Sequence, residues 1–102
     1  MITLYGMSSS GNCYKLQLAC AQLGIEHAWE EIDVTRGENL SPEFLALNDR
    51  GKVPVLRLDD GRTLSESNAI LNYLAQGTRL LPDDPWSRAK TLQWMFFEQY
   101  SH

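Results

Sequence analysis

The chain has 102 residues, 43% of them hydrophobic, and a net charge of −4, which suits one domain around a single core. Its nine basic residues are scattered rather than clustered, which argues against a nucleic-acid surface, and its apolar runs are far too short to cross a bilayer. Met1-Ile2-Thr3-Leu4 enters strand-like sequence without a basic leader or a cleavable apolar segment, so a cytoplasmic location is expected.

Ile2–Tyr5 reads as a short buried strand. Across Gly11–Leu23 the residues Cys13, Leu16, Cys20 and Leu23 fall on one helical face, and Gly24 is a natural C-cap. Two helical turns hold Cys13 and Cys20 about 10 Å apart, too far for a disulfide. Both therefore read as buried thiols in a reducing compartment. His27–Val34 is strand-like, and Thr35–Leu40 is a polar loop. Ser41-Pro42-Glu43 supplies an N-cap, a first-turn proline and an early acid, so a short helix through Phe44 and Leu47 follows. Val55–Leu58 and Arg62–Leu64 flank Asp59-Asp60-Gly61, a strong hairpin signal. The next helix runs from about Glu66 to Gln76 and stops at Gly77.

Residues 79–85 read as a linker, with the turn cluster Pro82-Asp83-Asp84-Pro85. Trp86–Tyr100 is helical again, with Ala89, Leu92, Trp94, Phe96, Phe97 and Tyr100 apolar almost all round. Such a helix expects burial on more than one side. A truncated two-domain protein is the simpler account; the alternative is a partner that covers the aromatics. His27 and His102 have no cysteine or acid cluster beside them, so no metal is expected.

The most telling stretch lies between Val53-Pro54 and Ser67. A proline at the start of an apolar strand is unusual, because it cannot donate to a ladder. A cis Val-Pro bond would account for it and leave the Val53 N–H and C=O free to pair outside the fold. Glu66-Ser67 stands directly before the helical pattern Ala69, Ile70, Leu71, Tyr73 and Leu74. An acid and a hydroxyl at a helix start suit a ligand carrying both ammonium and carboxylate. A free strand edge beside such a pocket reads as a site for a short peptide.

Val53-Pro54, Asp60-Gly61 and Glu66-Ser67-Asn68-Ala69-Ile70, with Leu4-Tyr5-Gly6 and Ser10-Gly11-Asn12-Cys13, resemble the N-terminal domain of cytosolic glutathione transferases of bacterial type. The resemblance covers roughly residues 1–80. It implies an α/β, thioredoxin-like fold (β-α-β-α-β-β-α) over residues 1–78, then the first helix of an all-α C-terminal domain over 86–102. It also implies glutathione as co-substrate, an electrophilic small molecule as second substrate, and a homodimer. In the serine-type members a hydroxyl at the first strand-to-helix turn stabilises the glutathione thiolate. Here that role falls to Ser10, with Asn12 assisting. Val53, before the cis Pro54, would pair with the cysteinyl backbone. Glu66 would take the γ-glutamyl ammonium and Ser67 its carboxylate. Lys52 suits the glycyl carboxylate, with Arg36 and Arg50 as looser candidates. The family often has Asn-Pro before the glycine at 51; this chain has Asn48-Asp49, a change in loop rigidity.

Each residue also has a plainer role. Ser10 could be only an N-cap, Lys52 a solvated surface charge, and Glu66 an acid favoured by the helix dipole. Cys13 lies one turn into the helix on its apolar face and reads as core, and Tyr5 reads as structural. Two other functions stay open: a non-catalytic interaction module of the kind this fold supplies to translation and transcription factors, and a glutaredoxin-like reductase working through Cys13.

Overall fold

The computed structural model describes residues 1–78 and 83–101. Most of the linker expected over 79–85, including Pro82, lies outside the described residues, as do His102 and the side chains of Tyr100 and Ser101.

The elements run β1 (Ile2–Gly6), α1 (Gly11–Leu23), β2 (His27–Glu31), α2 (Pro42–Leu45), β3 (Val55–Arg57), β4 (Thr63–Ser65), α3 (Ser67–Ala75) and α4 (Pro85–Ser101). The four strands form one sheet in the order β2-β1-β3-β4. β2 lies parallel to β1, and the other neighbouring pairs are antiparallel. This is the expected thioredoxin-like arrangement followed by a helix.

Strand alternation sends Leu4 to one face of the sheet and Tyr5 to the other. On the Leu4 side, α1 and α3 close a core of Leu4, Leu16, Cys20, Leu56, Ile70 and Leu74. Fully burying each of the leucines contributes about 1.5–3 kcal/mol. On the opposite side Tyr5 meets Phe44 of α2 edge to face, with ring centroids 6.4 Å apart. Tyr5 is therefore a packing residue. Cys13 and Cys20 are both buried free thiols, and burial pushes the Cys20 thiol up.

Several boundaries differ from the sequence reading. β2 ends at Glu31, three residues early, because Asp33 accepts from the Thr35 N–H and winds Val34–Arg36 into a 3₁₀ turn. The polar loop contains a second such turn, Glu38–Leu40. The short helix is one turn, Pro42–Leu45, capped as expected by the Ser41 hydroxyl, which accepts from the Phe44 N–H. α3 begins one residue late, with Glu66 outside it as the N-cap. α4 begins at Pro85. One side of it packs on the domain, while Trp86, Trp94, Phe96 and Phe97 stay exposed.

Candidate functional site

Three segments converge on a polar cleft of about 180 Å³. The first is the approach to β3. Gly51 adopts φ 64°, and a Cβ there would come within 3.1 Å of Leu40 and 3.2 Å of the Asn39 carbonyl. Only glycine meets both demands. The Asn39 amide donates to the Gly51 carbonyl at 2.7 Å, and the Asn48 amide donates to the Lys52 carbonyl at 2.9 Å. These two asparagines tie down the loop that runs into Val53. The Val53–Pro54 peptide is cis. The ladders on both sides of β3 begin at Val55, so Val53 lies beyond them at the cleft.

The second segment is the start of α3. Glu66 has φ 73° and ψ 116°, a conformation that residues with a Cβ rarely adopt. It turns the chain from β4 into the helix. The first bond of α3 is donated by the Ile70 N–H to the Glu66 carbonyl at 3.0 Å. The N–H groups of Ser67, Asn68 and Ala69 therefore have no helical carbonyl to meet, which makes this end receptive to an anion. Ser67 is buried, and its hydroxyl donates to Gln99 Oε1 of α4 at 3.0 Å. The next residue, Asn68, donates to the Met95 carbonyl at 2.8 Å and accepts from Lys15 Nζ at 2.8 Å. Lys15 also pairs with Glu98 at 3.2 Å. These bonds fasten α4 to α1 and to the first turn of α3.

The third segment is the start of α1. Asn12 lines the cleft, and its Oδ1 is buried with no hydrogen-bond partner among the described residues. An unmatched buried acceptor costs about 1–3 kcal/mol, so a donor brought to it is favoured. Ser10 is the N-cap of α1, but its hydroxyl makes no capping bond. Its backbone N–H donates to the Met7 carbonyl at 2.9 Å, and its carbonyl accepts from the Tyr14 N–H at 2.8 Å.

The cleft thus brings together Asn12, Lys52, Val53, Pro54, Glu66 and Ser67 with the looser candidate Arg50, and adds Asn48, Ser65 and Gln99. Ser10 is not among its lining residues. Nor is Arg36, which lies in the 3₁₀ turn. Arg50 and Lys52 put positive charge beside Val53, and Glu66 puts negative charge at the start of α3. A small ligand with both signs of charge fits such a lining. Gln99 was not foreseen, since nothing in a helix segment far along the chain marks which earlier side chain it will meet. Among the described residues no group of three or more His, Cys, Asp or Glu side chains is placed to hold a metal ion, and no helix is long and apolar enough to cross a membrane.

Residues 9–76 match the family model described as the glutathione S-transferase N-terminal domain. The chain is 43% identical over 101 residues to glutathione S-transferase GstB of Escherichia coli K12, covering 93% of this chain and 48% of that protein. A crystal structure of a glutathione S-transferase from Pseudomonas fluorescens superposes with a TM-score of 0.95 at 50% identity, over 99% of this chain and 50% of that one. A glutathione transferase homologue from Sulfitobacter, solved with bound glutathione, matches with a TM-score of 0.87 at 30% identity, over 95% of this chain and 48% of that one. The chain spans about half the length of the relatives it matches.

Proposed function

The chain belongs to the glutathione S-transferase family, and from that premise we propose that its cleft binds glutathione and activates the thiol for attack on an electrophilic small molecule. The observation that carries this reading is the meeting of Val53, beyond the ends of both ladders, with Glu66 and Ser67 at the open end of α3. The Val53 N–H and C=O pair with the cysteinyl backbone as an added strand would. Glu66 takes the γ-glutamyl ammonium. The glutamyl carboxylate lies on the first N–H groups of α3 and on Ser67, whose hydroxyl proton passes from Gln99 to the ligand. Lys52 and Arg50 suit the glycyl carboxylate.

Ser10 then donates its hydroxyl hydrogen bond to the sulfur, and the positive end of α1 adds to the stabilisation. The thiol proton leaves to solvent, the sulfur lone pair forms a bond to the electrophilic carbon, and the electron pair of the broken bond goes with the leaving group. Asn12 assists at the same helix start. In this reading residues 1–78 are the glutathione-binding domain, a linker follows, and α4, from Pro85, is the first helix of a helical domain. The working protein is a cytoplasmic homodimer. The fully buried Cys13 weighs against a reductase that would need it exposed.

Calorimetric titration of glutathione into the wild type, Ser10→Ala and Glu66→Ala tests the reading. Glu66→Ala is expected to lose binding. Ser10→Ala is expected to bind but to lose thiolate absorbance near neutral pH, its thiol returning toward the free value of about 8.5. A folded wild type that binds no glutathione at millimolar concentration would favour the interaction-module reading instead.

A further inference from the structure

One carboxylate beside the Ser10 turn has no part in the scheme above. Glu31 is the last residue of β2 and stands opposite Gly6 in the parallel register. Its carboxylate accepts the Ser8 backbone N–H at 3.0 Å, the Ser8 hydroxyl at 3.0 and 3.1 Å and the Trp29 indole N–H at 2.9 Å. Bonds to an ionised acceptor are the stronger kind. The same donors, the Trp29 indole first and the Ser8 N–H next, hold the Glu31 carboxyl below its ordinary range. Trp29 in turn is seated against the end of β1, where a Cβ on Gly6 would come within 2.8 Å of its ring. Ser8 lies within a single turn, closed by the Ser10 N–H on the Met7 carbonyl, from which the chain enters α1. A side chain 23 residues after Ser8 therefore anchors the loop that presents Ser10.

We propose that Glu31 is a positioning residue for Ser10: by clamping Ser8 it holds the β1–α1 turn in the geometry that aims the Ser10 hydroxyl at the glutathione sulfur. The inference rests on the Ser10 role proposed above. Glu31 does not line the cleft, so its effect on a ligand runs through the turn. It also removes Ser8 as a competing donor to sulfur, because the Ser8 hydroxyl is already committed to Glu31.

The test has two parts, on the same chain. Without ligand, amide hydrogen exchange at Ser8 and Ser10 is expected to rise about tenfold in Glu31→Ala, while amides in the core of β1 and α1 keep their wild-type rates. With glutathione, the dissociation constant is expected to stay within about twofold, because Glu66 and Val53 are untouched. The pKa of the bound thiol, read from thiolate absorbance against pH, is expected to rise as far as in Ser10→Ala. The double variant is expected to match Ser10→Ala alone, which a purely structural role for Glu31 would not produce. Glu31→Gln, which keeps one acceptor, is expected to restore part of the effect and replaces Glu31→Ala should that variant not fold. Unchanged exchange, additive effects in the double variant, or a loosened turn with a wild-type thiol pKa would each overturn the inference. A Ser10→Ala chain that titrates like wild type overturns the Ser10 role itself, and the inference with it; a wild type that binds no glutathione overturns both.

Discussion

At the scale of single residues, Glu66 combines a poor conformation with a valued side chain. Its φ of 73° costs a residue with a Cβ on the order of 1 kcal/mol or more relative to glycine. Glu66→Gly is therefore expected to raise the thermal midpoint while losing glutathione affinity, the two read by calorimetry and by titration. A variant that lost stability would show that the backbone there is not under strain. Glu66→Ala keeps the strain and removes the carboxylate, so it should lose affinity with little change in midpoint. The Glu66-Ser67 pair was legible in the sequence only beside Val53-Pro54, because an acid and a hydroxyl before a helical pattern ordinarily serve the helix dipole and the cap. What each does was less legible. Ser67 is buried, and its hydroxyl already serves Gln99, a partner that no local pattern reveals.

At the scale of elements, the approach to β3 shows how a loop is built around one residue. Gly51→Ala places a Cβ against Leu40 and the Asn39 carbonyl and forces a positive φ on alanine. Strain and overpacking together are expected to cost about 1–3 kcal/mol, read as a lower denaturant midpoint. Glutathione affinity should fall as well, because Val53 follows directly. Equal affinity in a destabilised Gly51→Ala chain would uncouple this loop from the site. The helices divide the labour differently. α1 and α3 bury the sheet, while α4 is held by polar contacts from Lys15, Ser67 and Asn68 to its second half. Its aromatics Trp86, Trp94, Phe96 and Phe97 face outward. The expectation of burial on several sides is met on one.

At the scale of the molecule, the acidic balance bears on pH. Donors to Glu31, Asp60 and Asp84 lower each pKa, chiefly the Trp29 indole for the first, the Arg62 N–H for the second and the Ser87 N–H for the third. A carboxylate with a depressed folded pKa contributes stability above its ordinary value and loses it as pH falls through the lowered one. The ordinary values are 4.5 and 3.8, so these groups leave stability flat near neutrality and reduce it in the acid limb below them. All three are exposed, and each contribution is small. Denaturant midpoints measured against pH should show a shallower acid limb in Glu31→Gln than in wild type. Identical limbs would remove Glu31 from that account.

Composition, the turn chemistry of Asp59-Asp60-Gly61, the cap at Ser41 and the spacing of apolar residues were enough to determine the order and kind of the elements. The motifs around Val53-Pro54 and Glu66-Ser67 were enough to point to the family. These are local properties, carried by residues a few positions apart. The junctions needed the tertiary structure: Gln99 reaching Ser67, Lys15 bridging Asn68 and Glu98, and Glu31 gripping Ser8. Each joins segments whose contact depends on how the sheet and helices pack. A hydrogen bond between distant side chains leaves no periodicity in the sequence, and only the folded chain selects which donors and acceptors meet.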